Sequence, residues 1–160
     1  MEPSKAVDKL RAYLVSQGLK FTHQRQVVTE VFFEPESRHQ HPTVEELYHR
    51  VRERDARVGY ATVYRTIKLL VDSGLAEPSR FGDNQTRYEP EIPGHHHDHL
   101  VCSDCGAIIE FEDDEIERLQ VNVSKKLGFE LIDHKMILFG KPSTNCEVVN
   151  CLSEKASKNP

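Results

Sequence analysis

Residues 43–72 read TVEELYHRVRERDARVGYATVYRTIKLLVD, and this stretch decides the fold. Thr43 and Glu46 form a capping-box pattern, in which each side chain satisfies a backbone N–H that a helix start leaves open. A helix is therefore predicted over residues 43–54, with Val44, Leu47, Tyr48 and Val51 as its buried stripe. Residues 55–59 form a short polar turn. A further helix over 60–72 buries Val63, Ile67, Leu70 and Val71, and Gly74 stops it. Two short helices across a tight turn, the second with a polar face of its own, make the pattern of a helix-turn-helix.

Upstream, Ala6, Leu10 and Leu14 recur every fourth residue in a predicted helix over 5–17, capped by Gly18. Thr22 is the expected N-cap of a helix to residue 33, with Val27, Val28 and Val31 apolar. Residues 35–41 read as polar loop. Downstream, 76–81 and 86–89 read as strands around a Gly82-Asp83-Asn84-Gln85 hairpin. Helices followed by a two-stranded ribbon imply a winged helix over residues 1–90.

Residues 91–94, Glu-Ile-Pro-Gly, are the best linker in the chain. Beyond them, predicted strands over 97–102 and 107–111 flank a Cys-Ser-Asp-Cys-Gly turn. Asp113 or Asp114 should cap a helix to residue 127, with Ile116, Leu119, Val123 and Leu127 in register. A long strand is expected over 129–139, with His134 on an inward-looking face beside Ile132, Met136 and Leu138. The fold class is α+β, with a second module over 95–151 and a polar tail over 152–160 expected to be disordered.

Hydrophobic residues make up 38% of the 160 and charged residues 29%, a balance that predicts a soluble folded protein. No apolar run reaches the ~20 residues needed to span a bilayer. The first 17 residues are amphipathic rather than a secretory core, so a cytoplasmic location is expected, without membrane partners. The net charge of −5 is unevenly spread: residues 1–90 are nearly neutral, and 91–160 carry the acidity, all four cysteines and five of the nine histidines. One near-neutral and one acidic, ligand-rich module follow.

Cys102 and Cys105 have knuckle spacing, and Cys146 and Cys151 make a wider second pair. Four thiolates suffice for a closed tetrahedral structural Zn2+ site. A redox Cys-x-x-Cys is disfavoured because the motif starts no helix and a second pair exists. In His95-His96-His97-Asp98-His99, an extended backbone turns His97 and His99 one way and His96 and Asp98 the other. Two back-to-back sites result, each needing further ligands, with Glu110, Glu117 and His134 as candidates. Mixed imidazole and carboxylate donors suit Fe2+, Zn2+, Mn2+ or nickel without choosing among them. The rival of a different class is a zinc-dependent hydrolase. Against it, the chain lacks a HExxH helix, a Gly-x-Ser-x-Gly motif and the spacing of a His-x-His-x-Asp-His metallohydrolase.

Taken together, Gly18-Leu19-Lys20-Phe21-Thr22-His23-Gln24-Arg25, Ala61-Thr62-Val63-Tyr64-Arg65, His96-His97-Asp98-His99-Leu100-Val101-Cys102 and Cys105-Gly106 through Ile109-Glu110-Phe111 resemble the ferric uptake regulator family of bacterial metal-dependent repressors. The resemblance runs from about Leu19 to Cys151. It implies a winged-helix DNA-binding domain, an α/β dimerisation domain and a homodimer. It also implies Fe2+ as corepressor (Mn2+ or Zn2+ substituting) and an AT-rich palindromic double-stranded operator. Whether dimers pair into a dimer of dimers is left open.

By position, the resemblance assigns a regulatory site to His41, Glu89, His97, His99 and Glu110, bridging the two modules, and a second to His96, Asp98, Glu117 and His134. It assigns DNA contacts to Lys20, Thr22, Arg25, Ala61, Thr62, Tyr64 and Arg65. Tyr64 would meet thymine methyls, Arg65 a base edge or phosphate, Lys20 an AT-rich minor groove, and Thr22 and Arg25 phosphate. Peroxide-responsive relatives usually carry Asp where this chain has Glu89 and Glu110, and zinc-responsive ones arrange their ligands differently. Both remain alternatives, with the two glutamates favouring the iron sensor. Four residues separate Cys146 from Cys151 where some members have two, so that loop must be longer.

Overall fold

Ten elements follow one another in the computed structural model, which describes residues 1–35, 40–92, 94 and 96–142. They are α1 (Pro3–Ser16), α2 (His23–Phe32), α3 (Val44–Arg54), α4 (Tyr60–Asp72), β1 (Ala76–Ser79), β2 (Arg87–Pro90), β3 (Asp98–Cys102), β4 (Ile108–Phe111), α5 (Asp114–Lys126) and β5 (Ile137–Gly140). The chain separates into two units at Gly94 and His95. Cys146, Cys151 and the tail over 152–160 lie outside the described residues, as do His95, Pro93 of the expected linker and 36–39 of the expected loop.

The first unit packs α1 to α4 and the ribbon around one core. Ala6, Leu10 and Leu14 meet Val28, Phe32, Leu47, Val51, Val63, Ile67 and Leu70, all essentially inaccessible to solvent. Local chemistry places each start. Thr22 Oγ1 accepts from the Arg25 backbone N–H at 3.4 Å, and the Thr43–Glu46 capping box is complete. The turn before α4 is locked by Asp55, which accepts from the backbone N–H of Arg57 at 3.0 Å and from its guanidinium at 2.9 and 3.0 Å. Gln24 Nε2 ties α2 to that turn by donating to the Arg57 carbonyl at 3.2 Å.

β1 and β2 pair antiparallel, in the register Ala76 to Pro90 through Ser79 to Arg87. The ribbon is shorter than the predicted strands over 76–81 and 86–89, because pairing ends at Ser79 and Arg87 and the residues between form a wider turn. A bridge from Thr43 to Arg87 and a 3.0 Å hydrogen bond from Tyr88 N–H to the Pro42 carbonyl lay the segment before α3 along β2.

In the second unit the sheet order is β4-β3-β5, with β3 central, antiparallel to β4 and parallel to β5. Asp113 caps α5 through hydrogen bonds from the Glu115 and Ile116 N–H groups at 2.8 and 3.0 Å. Two expectations fail here. The strand expected over 129–139 is only Ile137–Gly140, because β5 pairs with β3 alone and β3 begins at Asp98. Ile132 is consequently 94% exposed and Leu138 40%, so the face shared with His134 is not an inward one. Nor is the stripe of α5 covered: no α5 residue is buried, and Leu119, Val123 and Leu127 are all more than half exposed.

Candidate metal centres and nucleic-acid face

β3 and the residues leading into it sort the ligands of the second unit. His96 and Asp98 meet Glu117 from the first turn of α5 and His134 from the segment before β5. His96 Nε2 lies 3.6 Å from both Asp98 Oδ1 and Glu117 Oε1. His134 Nε2 lies 3.3 Å from Glu117 Oε1 and 3.8 Å from Asp98 Oδ1, and the two imidazole centroids are 4.2 Å apart. These separations are long for charge-assisted hydrogen bonds. They lie at or a few tenths of an ångström above the roughly 3.3 Å between ligand atoms of a tetrahedral site with bonds of about 2.0–2.1 Å. His134 Nε2 is buried yet makes no hydrogen bond among the described residues. Two neutral imidazoles and two carboxylates also balance a divalent charge. The residues therefore fit a divalent transition metal. Asp98 Oδ1, the oxygen that faces both imidazoles, also accepts from the Met136 N–H at 3.2 Å, which fixes the carboxylate.

On the other side lie His97, His99 and Glu110. Register sets His99 opposite Glu110 on β4. His97 Nε2 is 3.8 Å from Glu110 Oε1, and the His97 and His99 rings meet edge-on at 5.0 Å. His99 is buried. At the turn between β3 and β4, Cys102 is buried and Cys105 half-buried. A hydrogen bond of 2.8 Å from Gly106 N–H to the Cys102 carbonyl closes this knuckle.

The first unit holds a matched pair of its own. His41 Nε2 lies 3.2 Å from Glu89 Oε2, and both residues are buried. Ser79 Oγ donates to Glu89 Oε1 at 3.2 Å, and the His41 ring stands edge-on to Phe81 at 5.3 Å. His41 adopts φ +43°, a left-handed backbone that costs a non-glycine residue on the order of 1 kcal/mol. The ring is thus held where an unstrained residue would not put it.

On α4, Ala61, Tyr64 and Arg65 are exposed and Thr62 half-buried, opposite the buried stripe of Val63, Ile67 and Leu70. Tyr60, Tyr64 and Lys68 face Gln85, Thr86 and Tyr88 of the ribbon across an open groove of about 500 Å³. Burial pushes the Tyr88 phenol up, aided by Tyr64 and Tyr60, so it stays neutral at ordinary pH. Near the start of α2, Lys20 and Thr22 are exposed, and the Arg25 guanidinium donates to the Lys20 carbonyl.

The Ferric uptake regulator family profile matches residues 16–139. This chain belongs to that family. Among ferric uptake regulator relatives, the ferric uptake regulation protein of Rhizobium leguminosarum bv. viciae is 41% identical over 133 residues, 83% of this chain and 91% of that protein. The solved structure of the Vibrio cholerae ferric uptake regulator gives a TM-score of 0.70 at 39% identity, covering 82% of this chain and 98% of that one. That of the Helicobacter pylori ferric uptake regulator, described as revealing three functional metal binding sites, gives 0.77 at 32% identity, covering 89% and 93%.

Within the ferric uptake regulator frame, sequence reasoning missed the groups around His41 and Glu89. Ser79, Phe81 and Arg87 belong to no motif; the pairing of β1 with β2 brings Ser79 and Arg87 there, and Phe81 follows two residues beyond β1. Lys68, one turn after Tyr64, lines the same groove and also belongs to none of the motifs.

Proposed function

We propose that this chain is an iron-responsive transcriptional repressor, in which a divalent cation switches a homodimer to the form that binds an AT-rich palindromic operator. The observation that carries this reading is the alternation of ligands around β3, with His96 and Asp98 on one side and His97 and His99 on the other, each met by carboxylates. Residues 1–90 act as the DNA-binding domain, 91–94 as hinge, and 95–151 as the metal-binding dimerisation domain. One regulatory ion is held by His41 and Glu89 from the first and by His97, His99 and Glu110 from the second. Fe2+ is its expected occupant, with Mn2+ or Zn2+ substituting. The ion supplies a cross-link and fixed positive charge, and bound in the DNA-competent arrangement it shifts the population towards that form.

His96, Asp98, Glu117 and His134 hold a second ion, and Cys102, Cys105, Cys146 and Cys151 a structural Zn2+. Tyr64 and Arg65 read bases, aided by Ala61 and Thr62, while Lys20, Thr22 and Arg25 hold the backbone and minor groove. Exposed Leu119, Val123, Leu127 and Phe129 support the homodimer, since an amphipathic helix with no buried face calls for a partner. No described helix is long and apolar enough to cross a membrane. The protein acts where the chromosome is, in the cytoplasm, and carries out no catalysis.

A gel shift on an AT-rich palindrome tests the proposal. Retardation should appear with Fe2+ or Mn2+ and vanish on chelation. Equal binding in both states would sink the corepressor model. Ligand turnover lost on Glu117→Ala, without dependence on DNA, would favour a hydrolase instead.

A further inference from the structure

Arg87 lies two residues before Glu89 on β2, so the two side chains share one face of the strand. That face grips His41 at both ends. Glu89 meets its imidazole at 3.2 Å, and Arg87 Nη1 donates to its carbonyl oxygen at 3.2 Å. The same guanidinium reaches two further acceptors. Its Nε and Nη2 donate to Asp83 Oδ2 in the wing turn at 3.1 and 3.0 Å, and its Nη1 reaches Glu46 Oε2 at 3.2 Å. Glu46 Oε2 is also the oxygen that caps α3, accepting from the Thr43 N–H at 2.7 Å. One planar side chain thus joins the backbone of residue 41, the start of α3 and the tip of the wing. His41 needs such a hold, because its left-handed φ of +43° would relax without one.

We infer that Arg87 is the positioning residue for His41, and that it couples metal occupancy of the His41–Glu89 pair to the wing. The inference rests on the proposed reading of that pair as metal ligands. Losing a partner that fixes a ligand's orientation typically costs about 10- to 100-fold in metal affinity. An arginine spreads five N–H donors over a planar fork that spans these separated acceptors, whereas a lysine puts its three donors on a single nitrogen at the end of a flexible stem.

The test uses the full chain carrying His134→Ala, which removes the other histidine–carboxylate cluster. Mn2+ affinity is measured by competition with a fluorescent chelator, and amide hydrogen exchange over residues 80–88 is followed with and without Mn2+. Arg87→Ala should weaken Mn2+ binding about 10- to 100-fold and Arg87→Lys by an intermediate amount. Mn2+ should protect the wing amides in the background protein and cease to do so in Arg87→Ala. Affinity unchanged to within about twofold in Arg87→Ala, while His41→Ala abolishes binding, overturns the positioning role and leaves the metal reading standing. Wing protection that still follows Mn2+ in Arg87→Ala overturns the coupling. Unchanged affinity in His41→Ala sinks the metal reading itself. If Arg87→Ala does not fold, Asp83→Asn loosens the same fork and leaves β2 intact. A severalfold loss of Mn2+ affinity is expected there, and no loss overturns the inference.

Discussion

His134 carries the sharpest single-residue prediction. Its Nε2 is buried, makes no hydrogen bond among the described residues and faces two carboxylates, an arrangement that is costly without a cation. His134→Ala or Glu117→Gln should lower the metal stoichiometry by one ion per chain in plasma emission analysis, with circular dichroism unchanged. Full stoichiometry in both variants would make the cluster a plain polar network. On the nucleic-acid face, Tyr64→Ala and Arg65→Ala should each weaken operator binding by about 1–3 kcal/mol in a fluorescence anisotropy titration, with metal content unaltered. Asp55 gives a pH effect with a definite sign. The Arg57 guanidinium, then the Arg57 backbone N–H, hold its carboxyl at about 2 instead of the ordinary 3.8. A depressed acid stabilises the fold above its unfolded value, and that contribution is lost as pH falls through its folded one. Asp55→Asn should therefore flatten the loss of stability between about pH 4 and pH 2 in acid unfolding followed by circular dichroism. The candidate ligands around β3 are legible in the sequence, because imidazole and carboxylate at alternating positions can be read without coordinates, whereas His41 and Glu89 are reached only through the family resemblance. Arg87 and Ser79 are not legible, since neither has a local pattern and both act only through strand pairing.

Among the elements, those with chemical start signals read most clearly. Thr22, Thr43 and Asp113 all cap the helices expected of them. Thr43→Ala removes the α3 cap and should cost about 1 kcal/mol in urea unfolding, a cost that Thr43→Ser largely avoids. Strands read less well, because a strand exists only where a partner edge exists. Residues 129–139 read as a long strand, yet β3 offers β5 only four partner positions, His99 through Cys102. Periodicity also found the apolar stripe of α5 but not its destination. A stripe at helical spacing looks the same whether its cover comes from its own chain or from another.

For the whole molecule, that uncovered stripe is the main quantity to test. Leu119→Glu with Leu127→Glu places charge in the proposed interface. Sedimentation equilibrium should then report monomer where the unaltered chain reports dimer, or dimer of dimers. A dimer that survives both glutamates would place the interface elsewhere. Pairing through α5 also has a genetic consequence. Tyr64 and Arg65, the proposed base-reading residues, lie in the first unit and the stripe in the second. A chain that cannot read DNA can still pair. Expressed at equal level beside the normal gene, a Tyr64→Ala, Arg65→Ala allele would enter about three quarters of all dimers if pairing is random. Loss of repression should then be dominant in a partial diploid, whereas an allele carrying the two glutamates on α5 should be recessive.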